Sequence, residues 1–228
     1  MRTKTLLLTA ALGISGAASS MAQGTAVYSV NYVGYVNTVC NPGFSLIANP
    51  MTASDNSVAS VLASVPLGTV IFTFSGGNFH GNELDLFGSG WTTPGQQLLP
   101  GSGFFINNNQ APAAPFTVTF VGEGGQGTLN NTPPDGFSIL SSKVPQAGTV
   151  KALGLNAGLG NVIFRFDNAI GNFVGYENDL FSGTWGPPPV DPVNGPLIGV
   201  GEAFFYNNND TAPGNQPTWT RTFNPNAP

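Results

Sequence analysis

Four short motifs in the first half of the chain return, in the same order, in the second. Gly43-Phe44-Ser45-Leu46-Ile47 comes back as Gly136-Phe137-Ser138-Ile139-Leu140, and Val70-Ile71-Phe72-Thr73-Phe74 as Val162-Ile163-Phe164-Arg165-Phe166. Asn82-Glu83-Leu84-Asp85-Leu86-Phe87, followed by Trp91, matches Tyr176-Glu177-Asn178-Asp179-Leu180-Phe181, followed by Trp185. Gly103-Phe104-Phe105-Ile106, with Asn107 to Asn109, matches Ala203-Phe204-Phe205-Tyr206, with Asn207 to Asn209. Preserved order with altered loops reads as a tandem duplication: whatever one copy folds into, the other must also fold into. Two copies fall short of a solenoid or propeller, whose repeats are shorter and more numerous, and each is long enough to be a small domain. Three related segments bracket them, Ser29 to Gly34, Thr117 to Gly122 and Thr220 to Phe223. These read either as a closing edge strand for each unit or as strands shared between neighbours, where a terminal strand completes another molecule's sheet.

Within a copy the pattern is β. Phe72 and Phe74, like Phe164 and Phe166, alternate with Ile71/Thr73 and Ile163/Arg165, placing the aromatic rings on one face and Arg165 toward water. Short runs of Val, Ile, Phe and Thr are separated by Pro42-Gly43, Gly76-Gly77, Pro94-Gly95, Pro100-Gly101 and Gly186-Pro187-Pro188-Pro189, which act as turns and loops. Val58, Val61, Leu62 and Val65 instead carry helical spacing behind a Ser57 N-cap and before Pro66, and Val150 and Leu153 repeat part of it. The expected fold is all-β: two tandem, small, sandwich-like or barrel-like domains, each with at most one short helix.

The first residues read as an export address. Arg2 and Lys4 precede an apolar stretch from Leu6 to Ile14, and Ser20-Met21-Ala22 offers a small-x-small cleavage site. The expected organisation is a signal peptide over 1–22, a first β-domain over 23–122 and a second over 123–228. The apolar stretch is shorter than the about 20 residues of a membrane span and rich in Gly and Ser, so no span is expected after cleavage. Loss of Arg2 and Lys4 would leave eleven acidic side chains against Lys143, Lys151, Arg165 and Arg221. Such a chain is a poor match for anionic nucleic acid. Charged residues are only 7% of the total, against about 25% ordinarily, so the fold must rest on apolar burial and backbone hydrogen bonds. One His and one Cys exclude multi-His/Cys metal sites and a disulfide framework, and Cys40 reads as a small buried hydrophobe.

At Gly43 to Pro50, and again at Leu99 to Ile106, the chain resembles a large set of secreted bacterial β-domain proteins of the kind abundant in Verrucomicrobia-like lineages. These share a signal peptide, an opening like Val33-Gly34-Tyr35-Val36-Asn37, and units of the form G-[FW]-x-L-I … G-x-G-[FY]-[FW]. The second copy departs from the last signature, with Gly201-Glu202-Ala203-Phe204-Phe205. The resemblance implies secretion and a β module, and it brings no catalytic residues.

The only repeated polar constellation is Glu83 with Asp85 and Glu177 with Asp179. At i, i+2 on a strand the two carboxylates of a pair would point to one face about 7 Å apart, enough for a water between an inverting glycosidase pair or for Ca²⁺ with added backbone oxygens. The bland alternative is that they face solvent or cap turn amides. Calcium is the one cofactor these residues suggest, and no D-x-D-x-D-G loop accompanies them. Trp91 and Trp185 follow the acids at equivalent positions and Trp219 lies in the last strand; exposed, the first two would stack on sugar faces, whereas buried they would close small cores. His80 reads as a surface residue in a turn, and the Asn triplets as strand-ending turns. Nucleophilic catalysis has no G-x-S-x-G or repeated acid–His–Ser set to stand on. The chain thus reads as an exported, non-enzymatic structural or interaction protein of the cell envelope, matrix or an extracellular assembly, with itself or other envelope components as partners and strand addition as one route to polymers. The alternative is a carbohydrate-binding module that holds polysaccharide through Trp91 and Trp185.

Overall fold

The computed structural model describes residues 33–209 and 217–224; the expected signal peptide lies outside the described residues. In chain order the elements are β1 (Val33–Cys40), β2 (Gly43–Ile47), α1 (Val58–Val61), β3 (Val70–Ser75), β4 (Asn78–Glu83), β5 (Phe104–Asn108), β6 (Phe116–Glu123), β7 (Gly127–Asn131) and β8 (Gly136–Ser141). There follow β9 (Gly148–Thr149), β10 (Leu155–Asn156), β11 (Val162–Asp167), β12 (Asn172–Asn178), β13 (Trp185–Gly186), β14 (Leu197–Ile198), β15 (Ala203–Asn208) and β16 (Thr218–Phe223). The fold is all-β, with antiparallel pairing throughout the named strands.

The first half builds a sheet in the order β2-β5-β3-β4, and the second a sheet in the order β8-β15-β11-β12 with β13 added at the edge. Registers correspond as well: Phe72 lies opposite Phe105 and Gly81, and Phe164 opposite Phe205 and Gly175. Of the bracketing segments, residues 29–32 lie outside the described residues, and the described parts pair within their own halves. β1 pairs with β6 over eight residue pairs, and β16 pairs with β7. The expected boundary at 122/123 falls inside the last residues of β6, but the described residues on its two sides form one compact unit instead of two separate domains, because a shared core joins Leu46, Ala48 and Phe105 to Ile139, Ala203 and Phe205.

Helical spacing yields less helix than the pattern suggests. In the first half only α1 forms; Ser57 occupies the N-cap position, but its hydroxyl donates to Asp55 Oδ2 at 2.8 Å instead of capping the helix. Val150 and Leu153 sit in a turn closed by the Leu153 amide on the Thr149 carbonyl at 2.9 Å. Pro66 and Gly154 follow too soon for either segment to propagate, and short isolated helices gain little without length.

Each sheet packs on both faces, fully at the back and only in part at the front. On the back of the first, Ile47, Ile71, Phe104 and Ile106 pack against Val58, Leu62, Val118 and Phe120. On the back of the second, Leu140, Ile163, Phe204 and Tyr206 pack against Leu155, Ile198 and Trp219, whose indole stacks on Phe204 at 5.8 Å and donates to the Leu153 carbonyl at 2.9 Å. The front faces meet each other, with Leu46, Ala48 and Phe105 against Ile139, Ala203 and Phe205. Central strands β5 and β15 are therefore apolar on both sides, which is why Phe104-Phe105-Ile106 and Ala203-Phe204-Phe205-Tyr206 show no polar alternation. The face expected to lie opposite the aromatic rings in β3 and β11 is likewise inside, since Ile71 and Ile163 are fully buried. Arg165 does not simply face water: its guanidinium forms a two-pronged bond with Glu202, Nε to Oε1 at 2.6 Å and Nη2 to Oε2 at 3.1 Å. Cys40 is buried, and burial pushes its thiol up to about 12, the behaviour of an inert hydrophobe.

The two sheets pack tightly at Gly103 and Ala203, the equivalent positions that open the FF motif. A Cβ on Gly103 would lie 2.2 Å from Ala203 Cβ and 2.7 Å from Ile139 Cγ2, so one of the two positions must lack a side chain. Gly103→Ala should destabilise the fold by about 1–3 kcal/mol in denaturant titration, the usual cost of overpacking, with part of the loss recovered by adding Ala203→Gly. Unchanged stability of the single variant would show that the sheets are not in this contact.

Candidate functional site

Beyond the Gly103–Ala203 contact, the two front faces enclose an open cleft lined by ten phenylalanines, five from each half. Phe44, Phe72, Phe74, Phe79 and Phe105 come from β2, β3, β4 and β5; Phe137, Phe164, Phe166, Phe173 and Phe205 come from their counterparts β8, β11, β12 and β15. Strand alternation puts the rings on one face, and antiparallel pairing stacks them in rows across neighbouring strands. Gly81 and Gly175 allow this density. Each lies opposite a phenylalanine, and a Cβ there would approach Phe72 Cε1 at 3.3 Å or Phe164 Cε1 at 3.2 Å, so the ring leans over the neighbouring strand.

The ring contacts come in matched pairs. Phe105 meets Phe166 at 5.1 Å, as Phe205 meets Phe74 at 5.1 Å; Phe74 meets Phe79 at 5.1 Å, as Phe166 meets Phe173 at 5.3 Å. All four are edge-to-face, which suits the ring quadrupole. Phe105 and Phe205 meet one another at 6.3 Å at the middle of the arrangement. The cleft accordingly divides into two related hollows of about 340 and 430 Å³, each with four rings from one half and two from the other. Phe79 and Phe173 border both hollows, and they are 52% and 38% exposed. Strand alternation in the sequence places four of the ten rings, Phe72, Phe74, Phe164 and Phe166, on an inner face, and that face borders the cleft.

The residues singled out for chemistry are placed elsewhere. Trp91 and Trp185 are each only 8% exposed and belong to the two back-face cores, so the expectation of sugar-stacking indoles is corrected: they close the cores. The acidic pairs are not arranged along a strand. β4 ends at Glu83 and β12 at Asn178, so Asp85 and Asp179 start the following turns. Asp85 Oδ1 accepts from the Phe87 amide at 2.7 Å and the Ser89 amide at 3.3 Å. Asp179 Oδ1 accepts from the Phe181 amide at 3.0 Å, the Ser182 amide at 2.6 Å and the Ser182 hydroxyl at 2.8 Å. Glu83 and Glu177 are exposed, and among the described residues no group of three or more His, Cys, Asp and Glu side chains gathers into a metal site. His80 lies in β4, not in a turn, with Nε2 3.2 Å from the Ser75 carbonyl oxygen.

No family model, curated protein or solved structure matches this chain. Its candidate site must therefore be read from its own chemistry. The cleft presents rings only: no side-chain donor, acceptor or charge lines either hollow. Such a surface can desolvate an apolar group and offers nothing to a polar one. Sequence reasoning also missed the Asn triplets' role. Asn107 and Asn108, with Asn207 and Asn208, lie inside β5 and β15, and Asn108 Nδ2 binds the Cys40 and Ala114 carbonyls at 3.0 and 2.8 Å.

The bonds from Ser182 and Phe181 hold the Asp179 carboxyl below the usual aspartate range. A carboxyl depressed in the folded state adds stability that is present above its unfolded value, near 3.8, and is lost as pH falls through the folded value. In a carboxyl-carbon NMR titration, Asp179 should show a midpoint below 3.8, with the Phe181 and Ser182 amides shifting in step. A midpoint at or above 3.8 would contradict the turn geometry.

Proposed function

We propose that the protein is an exported, non-enzymatic structural or interaction protein of the cell envelope, matrix or an extracellular assembly, and that the phenylalanine cleft is its working surface. The observation carrying this reading is the cleft itself. Ten rings line a cavity of ligand-binding size without a polar group, and several of them are half exposed to water. A concave surface lined by aromatic rings and partly open to water is the usual form of an apolar binding site. Export is supported by the Arg2/Lys4 start, the apolar Leu6 to Ile14 stretch and the Ser20-Met21-Ala22 exit. No helix among the described residues is long and apolar enough to cross a membrane. Duplication of one module is part of the same reading, supported by the shared strand order and the paired ring distances.

The single His and single Cys supply little reactive chemistry, and both have structural surroundings. With the indoles buried, the carbohydrate reading loses the residues it depended on. Apolar groups are the class of ligand the cleft suits. The fluorescent probe 8-anilinonaphthalene-1-sulfonate should bind the native protein saturably, and Phe79→Ser with Phe173→Ser should weaken binding about tenfold or more while circular dichroism stays unchanged. Equal probe binding by the folded double variant would remove the cleft from this role.

A further inference from the structure

Each half carries a second apolar feature that the cleft does not absorb. In the turns after β4 and β12, Phe87 is 95% exposed and Phe181 94% exposed, beside Leu86 and Leu180, which are themselves more than half exposed. These are equivalent positions in the two halves, and both turns are built the same way. The aspartate at the start of each turn receives the amide of its phenylalanine, and the turn is closed by Asp85 N on the Gly90 carbonyl at 3.0 Å and Asp179 N on the Thr184 carbonyl at 2.9 Å. Leu86 leans on Gly68 and Leu180 on Gly160, so the leucine roots the turn and the phenylalanine forms its tip. A ring held away from its own surface by a hydrogen-bonded turn is shaped to enter another surface.

The complementary surface is on the same chain. There are two phenylalanine-tipped knobs and two phenylalanine-lined hollows, and neither knob reaches the cleft within the molecule, because both tips stand in water. A benzyl group brings no polar atom, and the hollows present none to it. We infer that the Leu86-Phe87 and Leu180-Phe181 knobs of one molecule occupy the phenylalanine cleft of a second copy, so that the chain assembles head to tail. Such a contact is heterologous, and heterologous contacts generate rings or open filaments. One knob buries far less than the ~1,600 Å² of a standard interface, so a single contact is weak and the assembly is concentration-dependent. Two knobs per chain raise the avidity. Salt strengthens the association, because it screens repulsion between net-negative chains.

The inference rests on the cleft being the working surface, and its test separates the two. In sedimentation velocity over a concentration series, the purified protein should form species larger than a monomer, and more of them at high salt. Phe87→Ser with Phe181→Ser should weaken association by about tenfold or more, as should Phe79→Ser with Phe173→Ser. Mixing these two double variants should restore a complex, since one supplies the cleft and the other the knobs. A wild type that stays monomeric at millimolar concentration while its cleft still takes up anilinonaphthalene sulfonate would overturn self-assembly and leave the cleft's role standing. Loss of both signals would overturn both. Knob-dependent binding to phosphatidylcholine vesicles without self-association would also overturn the inference, assigning the knobs to a lipid surface instead.

Discussion

The packing of one sheet's front face on the other's, tight at Gly103 against Ala203, determines the rest of the molecule. Two small sheets with their own helix or ribbon behind them could each have turned the front face to solvent or covered it with a loop. Instead the chain at Gly103, just before β5, approaches Ala203 of β15 until only one methyl fits between them, and Phe105 and Phe205 meet at the centre in a tilted contact. From that point outward, the rings on β3, β4, β11 and β12 have partners on one side and water on the other. The same contact that joins the halves therefore opens the cleft.

Scarcity of charge follows from this design. Both faces of each sheet need apolar side chains, so strands that would ordinarily spend every second residue on polar groups cannot. Among the described residues a single ion pair, Arg165 with Glu202, remains, and it braces β11 against the turn before β15. Much of the remaining polar work is done by neutral amides and turn-capping aspartates: Asn49 on Asn56 and the Leu98 carbonyl, Asn108 on Cys40 and Ala114, and Asp85 and Asp179 on their turns. A hydrogen bond left unmade in such an interior costs more than a made one contributes, which favours short side chains that reach backbone groups directly.

Much of this was legible in the chain. Alternation in Val70 to Phe74 and Val162 to Phe166 places the rings on one face, and the Gly and Pro runs mark the turns. The bland reading of Asp85 and Asp179 as amide caps matches their geometry. Other features were not legible for physical reasons. Trp91 and Trp185 occupy strand-to-turn positions compatible with either a core or a platform, and only the packing behind the sheets decides for the core. Nothing local signals that the turns will hold Phe87 and Phe181 out in water. The cleft depends on contacts between residues far apart in the chain, such as Phe74 with Phe205 and Phe105 with Phe166, which periodicity cannot report.

Hydroxyl-radical footprinting of the native protein, read residue by residue by mass spectrometry, tests the central claim that phenylalanines and not tryptophans form the exposed aromatic surface. Phe79, Phe173, Phe87 and Phe181 should be oxidised readily in dilute solution, while Trp91, Trp185 and Trp219 stay protected despite their greater intrinsic reactivity. Rapid oxidation of the three tryptophans, with Phe79 and Phe173 protected under the same conditions, would contradict the face-to-face arrangement on which the cleft depends.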